Sequence, residues 1–407
     1  MARDIPRFVS VDDHVVEPPH LFQKWLPKKY ADDPRAPRVE RKGIGKMEYK
    51  GGTTYEIEWD DSQPKSDTWF YEELVAPHKR HVAAVGFPRD EMTLSPITYD
   101  EMRPGCYDPK ARLDDMDVDH VEASLCFPTF PRFCGQTFAE AQDKDLAQAC
   151  VRAYNDWMVE EWCGDSGGRL IPLCIVPLWD VELAAAEIRH NAARGVHAVA
   201  FSEIPAKLGL PTLHSGYWEP FFQACAETRT VVAMHIGSGT KTITSSPDAP
   251  DAVQAVNMFA NSSTSLIDFL FSGVLVRHPD LKLLYAEAQI GWIPYVLERI
   301  DDVWETHRGW SESQRYVSDH PSQYYYRQVI SCFFKDSVGV QNLDLVGQHN
   351  IAFETDYPHQ DSTWPNTHQV AKQLFGHLDD EAVFDIVRGN AIRLLDLELG
   401  DGTGPRS

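Results

Sequence analysis

Residues 350–359 read NIAFETDYPH, a stretch in which a short apolar run passes directly into acidic residues and a histidine. The run at 351–353 has the composition of a short buried strand, and the polar residues stand where that strand ends. The start of the chain repeats the arrangement, because FVSV at 8–11 is followed by Asp12, Asp13 and His14. The sequence therefore pairs buried strands with polar strand ends.

Further apolar runs lie between these two, and amphipathic stretches separate them. A (β/α)₈ barrel is predicted, because serial strand–helix units give parallel strands and eight such units favour a closed barrel over an open doubly wound sheet. The strands are predicted at 8–11, 121–127, 169–178, 196–201, 230–235, 281–288, 328–334 and 350–359. Helices are predicted at 139–163, 180–195 (with Asp180 as N-cap), 218–228, 251–275, 291–304 and 366–395.

One region interrupts this alternation. Residues 25–118 are rich in Pro, Gly, Tyr and charge and show β-like alternation, as in YKGGTTYEIEW. Long segments within compact domains are usually functional, so we expect a β-rich insertion that caps the mouth of the barrel, with an oligomer contact as the alternative. The predicted organisation is a barrel formed by 1–24 and 119–396, the insertion 25–118, and a disordered tail at 397–407.

Composition limits the possible partners and the compartment. The net charge of −23 disfavours binding to nucleic acid or to anionic membranes. There is neither an apolar run long enough to span a membrane nor the apolar core of a secretory signal, so a cytoplasmic protein is expected. The eight cysteines are scattered without a CxxC pair, which favours reduced core thiols over disulfides.

The strand ends carry the candidate chemistry, since active sites of such barrels lie at the C-terminal ends of the strands. Residues two apart on a strand share a side, so Asp12 and His14 should face the interior and Asp13 the helices. A single His or Asp is more often a hydrogen-bonded residue or a helix cap, but a convergence from several strands is typical of a divalent metal site. The predicted donors are Asp12, His14, Glu203, His235, Glu287, Asp356 and His359, with Glu17 as a further candidate.

Other polar residues receive weaker interpretations. His78 and His81 in PHKRH are expected to form a solvated basic turn, with contact to a substrate anion as the alternative. His214 follows the fourth predicted strand and either lines the pocket or lies outside it. Arg112 is expected to orient the second strand.

The motifs resemble the amidohydrolase superfamily, in its amidohydrolase-2 branch, which includes carboxymuconate-semialdehyde and resorcylate decarboxylases. The matching stretches are VDDHVVEPPHLF, VRAYNDW, RLIPLCIVPLWD, MHIGSGT, RHPDLKLLYAEAQIGWIPYVLERID and ETDYPH, which span nearly the whole chain outside the insertion. The resemblance implies that Asp12, His14, His235 and Asp356 are metal ligands. Glu203 stands where binuclear members carry a bridging residue.

Two departures from the decarboxylases point elsewhere within the superfamily. Glu287 stands where those enzymes usually have a His-x-Gly-Gly motif, and His359 follows three residues after Asp356. This donor set is similar to that of a small group of non-heme dinuclear iron or Mn/Fe monooxygenases with the same fold. The resemblance to that group implies two metals per chain, with O₂ and an external electron donor as co-reactants.

Three functions remain open at this point. The first is a dinuclear monooxygenase that hydroxylates an unactivated C–H bond of a small or medium organic acid or its thioester, with Glu287, Asp356 and His359 at the reacting centre. The alternative is a hydrolase or non-oxidative decarboxylase using Zn or Mn, in which Asp356 or His359 is the general base. The third is a non-catalytic subunit, which the full donor set disfavours. Association with itself or with a homologous subunit is expected.

Overall fold

A computed structural model describes residues 5–51, 54–240 and 243–400 of the chain. Parallel pairing joins the strands that the sequence predicts for the barrel, and antiparallel pairing joins the strands of the insertion. Within the described ranges the strands are β1 (Phe8–Val15), β2 (Arg38–Gly51), β3 (Thr54–Trp59), β4 (Lys65–Tyr71), β5 (Leu74–Pro77), β6 (Val121–Pro128), β7 (Leu170–Ile171), β8 (Ala198–Ala200), β9 (Val231–His235), β10 (Leu283–Ala286), β11 (Val329–Phe333) and β12 (Ile351–Phe353).

The barrel consists of two parallel sheets, β1-β6-β7 and β8-β9-β10-β11-β12. Backbone hydrogen bonds connect them at both edges. After β7, the amide of Cys174 donates to the carbonyl of Ala198 at 3.1 Å. After β12, the amide of Asp356 donates to the carbonyl of Asp12 at 3.1 Å. The eight strands therefore follow one another around a barrel, and the predicted fold class is confirmed.

Helices cover the outside of the barrel and bury apolar side chains against the strands. The predicted cap is confirmed, since the Asp180 carboxylate accepts from the amides of Glu182 and Leu183. The principal helices are Pro109–Val118, Lys144–Trp157, Val181–Ala192, Glu219–Thr228, Phe259–Phe271, Ile293–Thr306, Pro321–Gln328, Thr367–Phe375 and Asn390–Leu395. Shorter helices are Leu21–Trp25, Lys28–Ala31, Gln136–Ala139, Asp251–Val256, Val274–Arg277, Arg308–Ser311, Ser337–Gln341, Leu343–Val346 and Asp380–Phe384.

Two predicted helices are divided in the structure. The segment predicted at 251–275 is broken, and Gly273 with φ of 75° separates two of its pieces. In 366–395, the first helix ends before Gly376 and Asp379 begins a new one by accepting from the amide of Ala382. Local capping chemistry thus overrides the continuous amphipathic pattern.

The insertion contains a four-stranded antiparallel sheet in the order β3-β2-β4-β5. Past this sheet, the chain lies against the segment that follows β12. The amides of Ala84 and Val85 both donate to the carbonyl of Pro358, at 2.8 and 3.2 Å, and the amide of Gln360 donates to the carbonyl of His81 at 3.1 Å. The predicted β-rich insertion is therefore confirmed, and part of it is bonded to a strand-end segment of the barrel.

The structure also bears on the expectations for the cysteines, the C-terminal tail and membrane-spanning helices. All eight cysteines are free and buried. Leu397 and Leu399, at the start of the predicted disordered tail, pack against the core, and 401–407 lie outside the described residues. Across the part of the chain that the structure describes, no helix has both the length and the apolar character needed to cross a membrane.

Candidate metal centre

Donor side chains from four strands converge at the C-terminal end of the barrel. Asp12 and His14 lie on β1 and His235 ends β9, while Glu287 directly follows β10. Asp356 and His359 follow β12. We call these residues the six-donor cluster. As predicted, Asp13 points the other way and accepts hydrogen bonds from its neighbours in the outer layer, namely Ser10, Ser124, Thr355 and the amide of Tyr357.

The atoms of the cluster approach one another as ligands of a common ion do. His14 Nε2 lies 3.1 Å from His235 Nε2 and 3.5 Å from Asp356 Oδ1. His235 Nε2 lies 3.4 Å from Asp12 Oδ2 and 3.3 Å from Glu287 Oε2. Ligands bonded to a metal at about 2.0–2.2 Å stand roughly 3–3.5 Å apart, so these separations fit coordination.

Two carboxylates in the cluster have no hydrogen-bond partner among the described residues. Both oxygens of Asp12 and both of Asp356 are unpartnered, and both residues are fully buried. A buried carboxylate without a partner is strongly destabilising unless a cation or donor meets it. The residues present therefore fit a divalent cation.

The electrostatics lead to the same conclusion. Burial, followed by the neighbouring charges of Glu354, Asp356 and Glu287, raises the pKa of Asp12 well above its usual value. Burial lowers the pKa of His14 well below its usual range and that of His235 to about 3. The imidazoles are thus neutral and able to bind a metal, and a divalent cation would offset the repulsion among the carboxylates.

Neighbouring groups fix the orientation of the imidazoles. His235 Nδ1 donates to the carbonyl of Ile236 at 2.6 Å, which leaves Nε2 facing the cluster. The Phe133 ring stacks on His235 with centroids 4.2 Å apart, and the His359 ring stacks on His14 at 3.6 Å. These contacts hold the donor nitrogens in position and shield one side of the cluster from water.

Backbone conformation also positions two of the donor residues. Glu287 and Asp356 adopt positive φ angles of 58° and 51°. Non-glycine residues in this region carry a conformational cost and are concentrated at functional sites. The turns after β10 and β12 thereby direct both carboxylates into the cluster.

A comparison with protein families decides the classification. The amidohydrolase family model matches residues 20–397 of the 407. The chain belongs to the amidohydrolase family. Since the match begins after Asp12 and His14, the assignment of these two residues rests on the geometry of the cluster. Family membership and the donor cluster together make this amidohydrolase a metal-dependent enzyme.

Several known proteins are similar to this amidohydrolase. A 2-amino-3-carboxymuconate-6-semialdehyde decarboxylase of Dictyostelium discoideum is 22% identical over 308 residues, which are 73% of this chain and 79% of that protein. An amidohydrolase structure from Mycobacterium avium subsp. paratuberculosis K-10 aligns with a TM-score of 0.67 and 21% identity, covering 97% of this chain and 100% of that one. A 5-carboxyvanillate decarboxylase of Novosphingobium aromaticivorans, solved with manganese and 4-hydroxy-3-methoxy-5-nitrobenzoic acid, aligns with a TM-score of 0.59 and 18% identity, covering 79% and 89%. The structural likenesses support the fold.

The structure places Glu203 of this amidohydrolase outside the six-donor cluster. Its carboxylate accepts a hydrogen bond from Ser262, and it belongs to no metal-sized donor group among the described residues. The prediction that Glu203 is a ligand is therefore not supported by its position. The physical reason is that β8 ends at Ala200, after which Ser202 and Glu203 bond to Ser238 in the loop after β9.

The three weaker histidine candidates have different surroundings. His214 lies at the surface and pairs with Asp268 at 2.6 Å, so it does not line the site. The expected solvated turn is wrong for His78, which is buried and lies 3.1 Å from the hydroxyl of Tyr99. His81 is partly buried in the segment of the insertion that is bonded to Gln360.

Sequence reasoning did not select Glu354, Cys332 or Asp361. Glu354 is fully buried, accepts from the amide of Glu287 at 3.1 Å and from the thiol of Cys332, and shares a donor group with Asp12. Strand alternation could have found it, because it lies two residues before Asp356. Asp361 shares a group with Glu287 and Asp356, and no periodic signal points to it.

Glu17 is buried, and its carboxylate binds backbone amides of a loop rather than joining the six-donor cluster. Its carboxylate accepts from the amides of Thr129 and Phe130 at 3.0 and 2.7 Å, which fixes the loop after β6. Burial raises its pKa from 4.5 to about 7, although these hydrogen bonds oppose the shift. Glu17 is thus a positioning residue for the loop.

This shift predicts a pH dependence of stability. The folded-state pKa lies above the unfolded value, so the contribution of Glu17 is fully present below pH 4.5 and is lost as the pH rises through about 7. Relative to Glu17→Gln, the metal-depleted wild type should lose up to about 3 kcal/mol across this window. Melting temperatures measured from pH 5 to pH 8 with chelator test this. Parallel pH profiles for the two proteins would contradict it.

Proposed function

We propose that this amidohydrolase removes the carboxyl group of a carboxylic acid without an oxidant, using a divalent metal held by Asp12, His14, His235 and Asp356. The observation that carries the metal is the set of four unpartnered carboxylate oxygens of Asp12 and Asp356, buried beside two neutral imidazoles. The reaction class is supported by the decarboxylases among the similar proteins. Hydrolysis at the same centre, in which water is added across the bond that breaks, is the alternative within this proposal.

When bound, the metal supplies Lewis acidity, which orients a substrate carboxylate or acidifies a bound water. The protein supplies the proton handling. Decarboxylation replaces a carbon–carboxylate bond with a carbon–hydrogen bond, so a proton must reach that carbon. His359 Nδ1 lies 3.2 Å from Asp356 Oδ1, and the His359 side chain is 15% exposed. This pair can hold the proton and move it between the buried carboxylate and the substrate.

A second candidate is a dinuclear Fe/Fe or Mn/Fe monooxygenase, and one observation favours it. Glu287 and His359 add donors beyond the three that one metal with an open position needs. A donor set rich in carboxylates suits Mn and Fe. This reaction requires O₂ and an external electron donor. The comparisons support the decarboxylase more directly than the oxygenase.

Metal analysis combined with gas exchange separates the candidates. The protein is purified without added metal or chelator, and CO₂ release and O₂ consumption are followed with a panel of aromatic and aliphatic carboxylic acids. CO₂ release that persists without O₂ supports the decarboxylase. O₂ consumption that depends on a reductant, with about two Fe or one Fe and one Mn per chain, supports the oxygenase. A chain that binds no divalent metal contradicts both.

Glu287→Ala refines this result. If Glu287 is a ligand, the variant should lose one metal and, for the oxygenase, all O₂-dependent turnover. Glu203→Gln is the matched control, because Glu203 also follows a barrel strand but its carboxylate bonds to Ser262. Full metal content and activity in Glu287→Ala would overturn the two-metal candidate and make Glu287 a pocket residue.

A further inference from the structure

Beyond His359 the chain returns to the six-donor cluster at Asp361. Its carboxylate lies within 4.8 Å of donor oxygens of Glu287 and Asp356. The residue is exposed, so it approaches the cluster from the solvent side. Within the described residues, its carboxylate forms no hydrogen bond or ion pair with another side chain. Asp361 is thus a free carboxylate at the entrance of a buried metal centre.

One ion cannot use all of the donors. Asp12, His14 and His235 form a compact group, and each imidazole nitrogen has a single lone pair for a single metal. Once His14 and His235 serve one ion, His359 and Asp361 remain outside it. Structural zinc sites use four protein ligands and catalytic zinc sites use three, so relative to such a site the surplus is large enough for a second position.

The carboxylates of Asp356 and Glu287 lie between the group Asp12, His14 and His235 and the exposed Asp361. Asp356 Oδ1 is 3.5 Å from His14 Nε2, and Asp356 also shares a donor group with Glu287 and Asp361. Glu287 Oε2 is 3.3 Å from His235 Nε2, and Glu287 also shares a donor group with Asp361. Each carboxylate has two oxygens, and both oxygens of the fully buried Asp356 are unpartnered. These two residues can therefore each contact two ions.

Charge favours two divalent ions over one. The carboxylates of Asp12, Glu287, Asp356 and Asp361 together carry four negative charges when ionised, and two divalent cations neutralise them. A single divalent ion would leave two of these charges uncompensated.

We propose that Asp361 completes a second cation position with Glu287 and Asp356, adjacent to the position formed by Asp12, His14 and His235. This inference rests on the proposed metal centre and adds a ligand to it. Three carboxylates suit a hard cation such as Mn²⁺ or Fe²⁺. Because Asp361 is exposed, the second ion faces the mouth of the barrel and exchanges more readily than the first.

The test titrates metal-depleted, full-length protein with Mn²⁺. Wild type should bind about two ions per chain, and Asp361→Asn should bind about one, with the tighter position retained. Electron paramagnetic resonance provides an independent readout, because two Mn²⁺ ions sharing carboxylates are magnetically coupled. Saturated Asp361→Asn should instead show the hyperfine pattern of an isolated Mn²⁺ ion.

Asp344→Asn is the matched control, since Asp344 is an exposed aspartate on the helix Leu343–Val346, ahead of β12. It should bind Mn²⁺ as the wild type does. Two ions in Asp361→Asn would overturn the role of Asp361. One ion in the wild type would overturn the second position while leaving the proposed function intact, and no ion in the wild type would overturn both.

Discussion

Asp356→Asn is expected to remove the stabilisation of the protein by Mn²⁺ and to lower turnover by more than about 100-fold. Asp356 is fully buried, has two unpartnered oxygens, and lies between the imidazoles of His14 and His359 at 3.5 and 3.2 Å. Asparagine keeps the shape but offers one neutral oxygen. The variant therefore loses the charge that holds the metal and the group that handles the proton.

The same substitution should not lower the stability of the metal-free protein. Burial, together with the charges of Glu354, Asp361 and Asp13, raises the pKa of Asp356 well above its usual value. Neutral asparagine removes one member of this repulsive set, so the melting temperature with chelator should be equal to or above that of the wild type. A loss of stability without metal would identify Asp356 as a structural residue.

Thermal shifts with and without Mn²⁺ measure both effects. At Mn²⁺ near 100 times its dissociation constant, wild type should gain about 2.7 kcal/mol, which raises the melting temperature by roughly 3 °C. Glu203→Gln should gain the same amount, because Glu203 lies outside the cluster. An equal Mn²⁺ shift in Asp356→Asn would show that the metal is held elsewhere.

Arg112→Lys is expected to destabilise the protein by about 3–5 kcal/mol. The buried guanidinium donates to the carbonyls of Gly105 and His14 at 2.7 and 2.5 Å and to the thiol of Cys126 at 3.3 Å. It also lies over the Tyr357 ring at 4.2 Å. Lysine keeps the charge but cannot reproduce the planar fork, so buried carbonyls lose their donors.

The contact with His14 makes this variant informative about the site as well. Because Arg112 holds the backbone of the strand that carries the donors Asp12 and His14, Arg112→Lys should weaken Mn²⁺ binding in addition to lowering the melting temperature by roughly 4–6 °C. Lys110→Ala is the control, since Lys110 is an exposed cation on the same helix, Pro109–Val118. Unchanged stability in Arg112→Lys would show that the guanidinium network contributes little.

The sequence predicted the parts of the site that regular structure controls. Asp12, His14 and His235 lie within strands, where alternation fixes the side that each residue faces. Glu203 lies outside the cluster because β8 stops at Ala200 and the chain then turns toward Ser238, which the apolar pattern does not reveal.

Most of the features that the sequence did not predict lie in irregular segments of the chain. Asp361 lies in a loop, where no period relates one side chain to the next, so only the folded chain brings it to Glu287. The sheet inside the insertion was expected, whereas its backbone bonds to Pro358 depend on two segments far apart in sequence. The reaction class depends on the number and the identity of the bound metals. The types of donor residue do not determine either of them, so both must be measured.

The bonds from Ala84 and Val85 to Pro358 have a consequence for loop exchange between related enzymes. A chimaera that replaces the whole insertion would also replace the segment that anchors the turn carrying His359. A graft limited to the hairpins of β2 to β5 would leave that anchor in place. The sheet can therefore be exchanged without loss of this anchor, provided that residues 80–85 are kept from the parent protein together with the barrel.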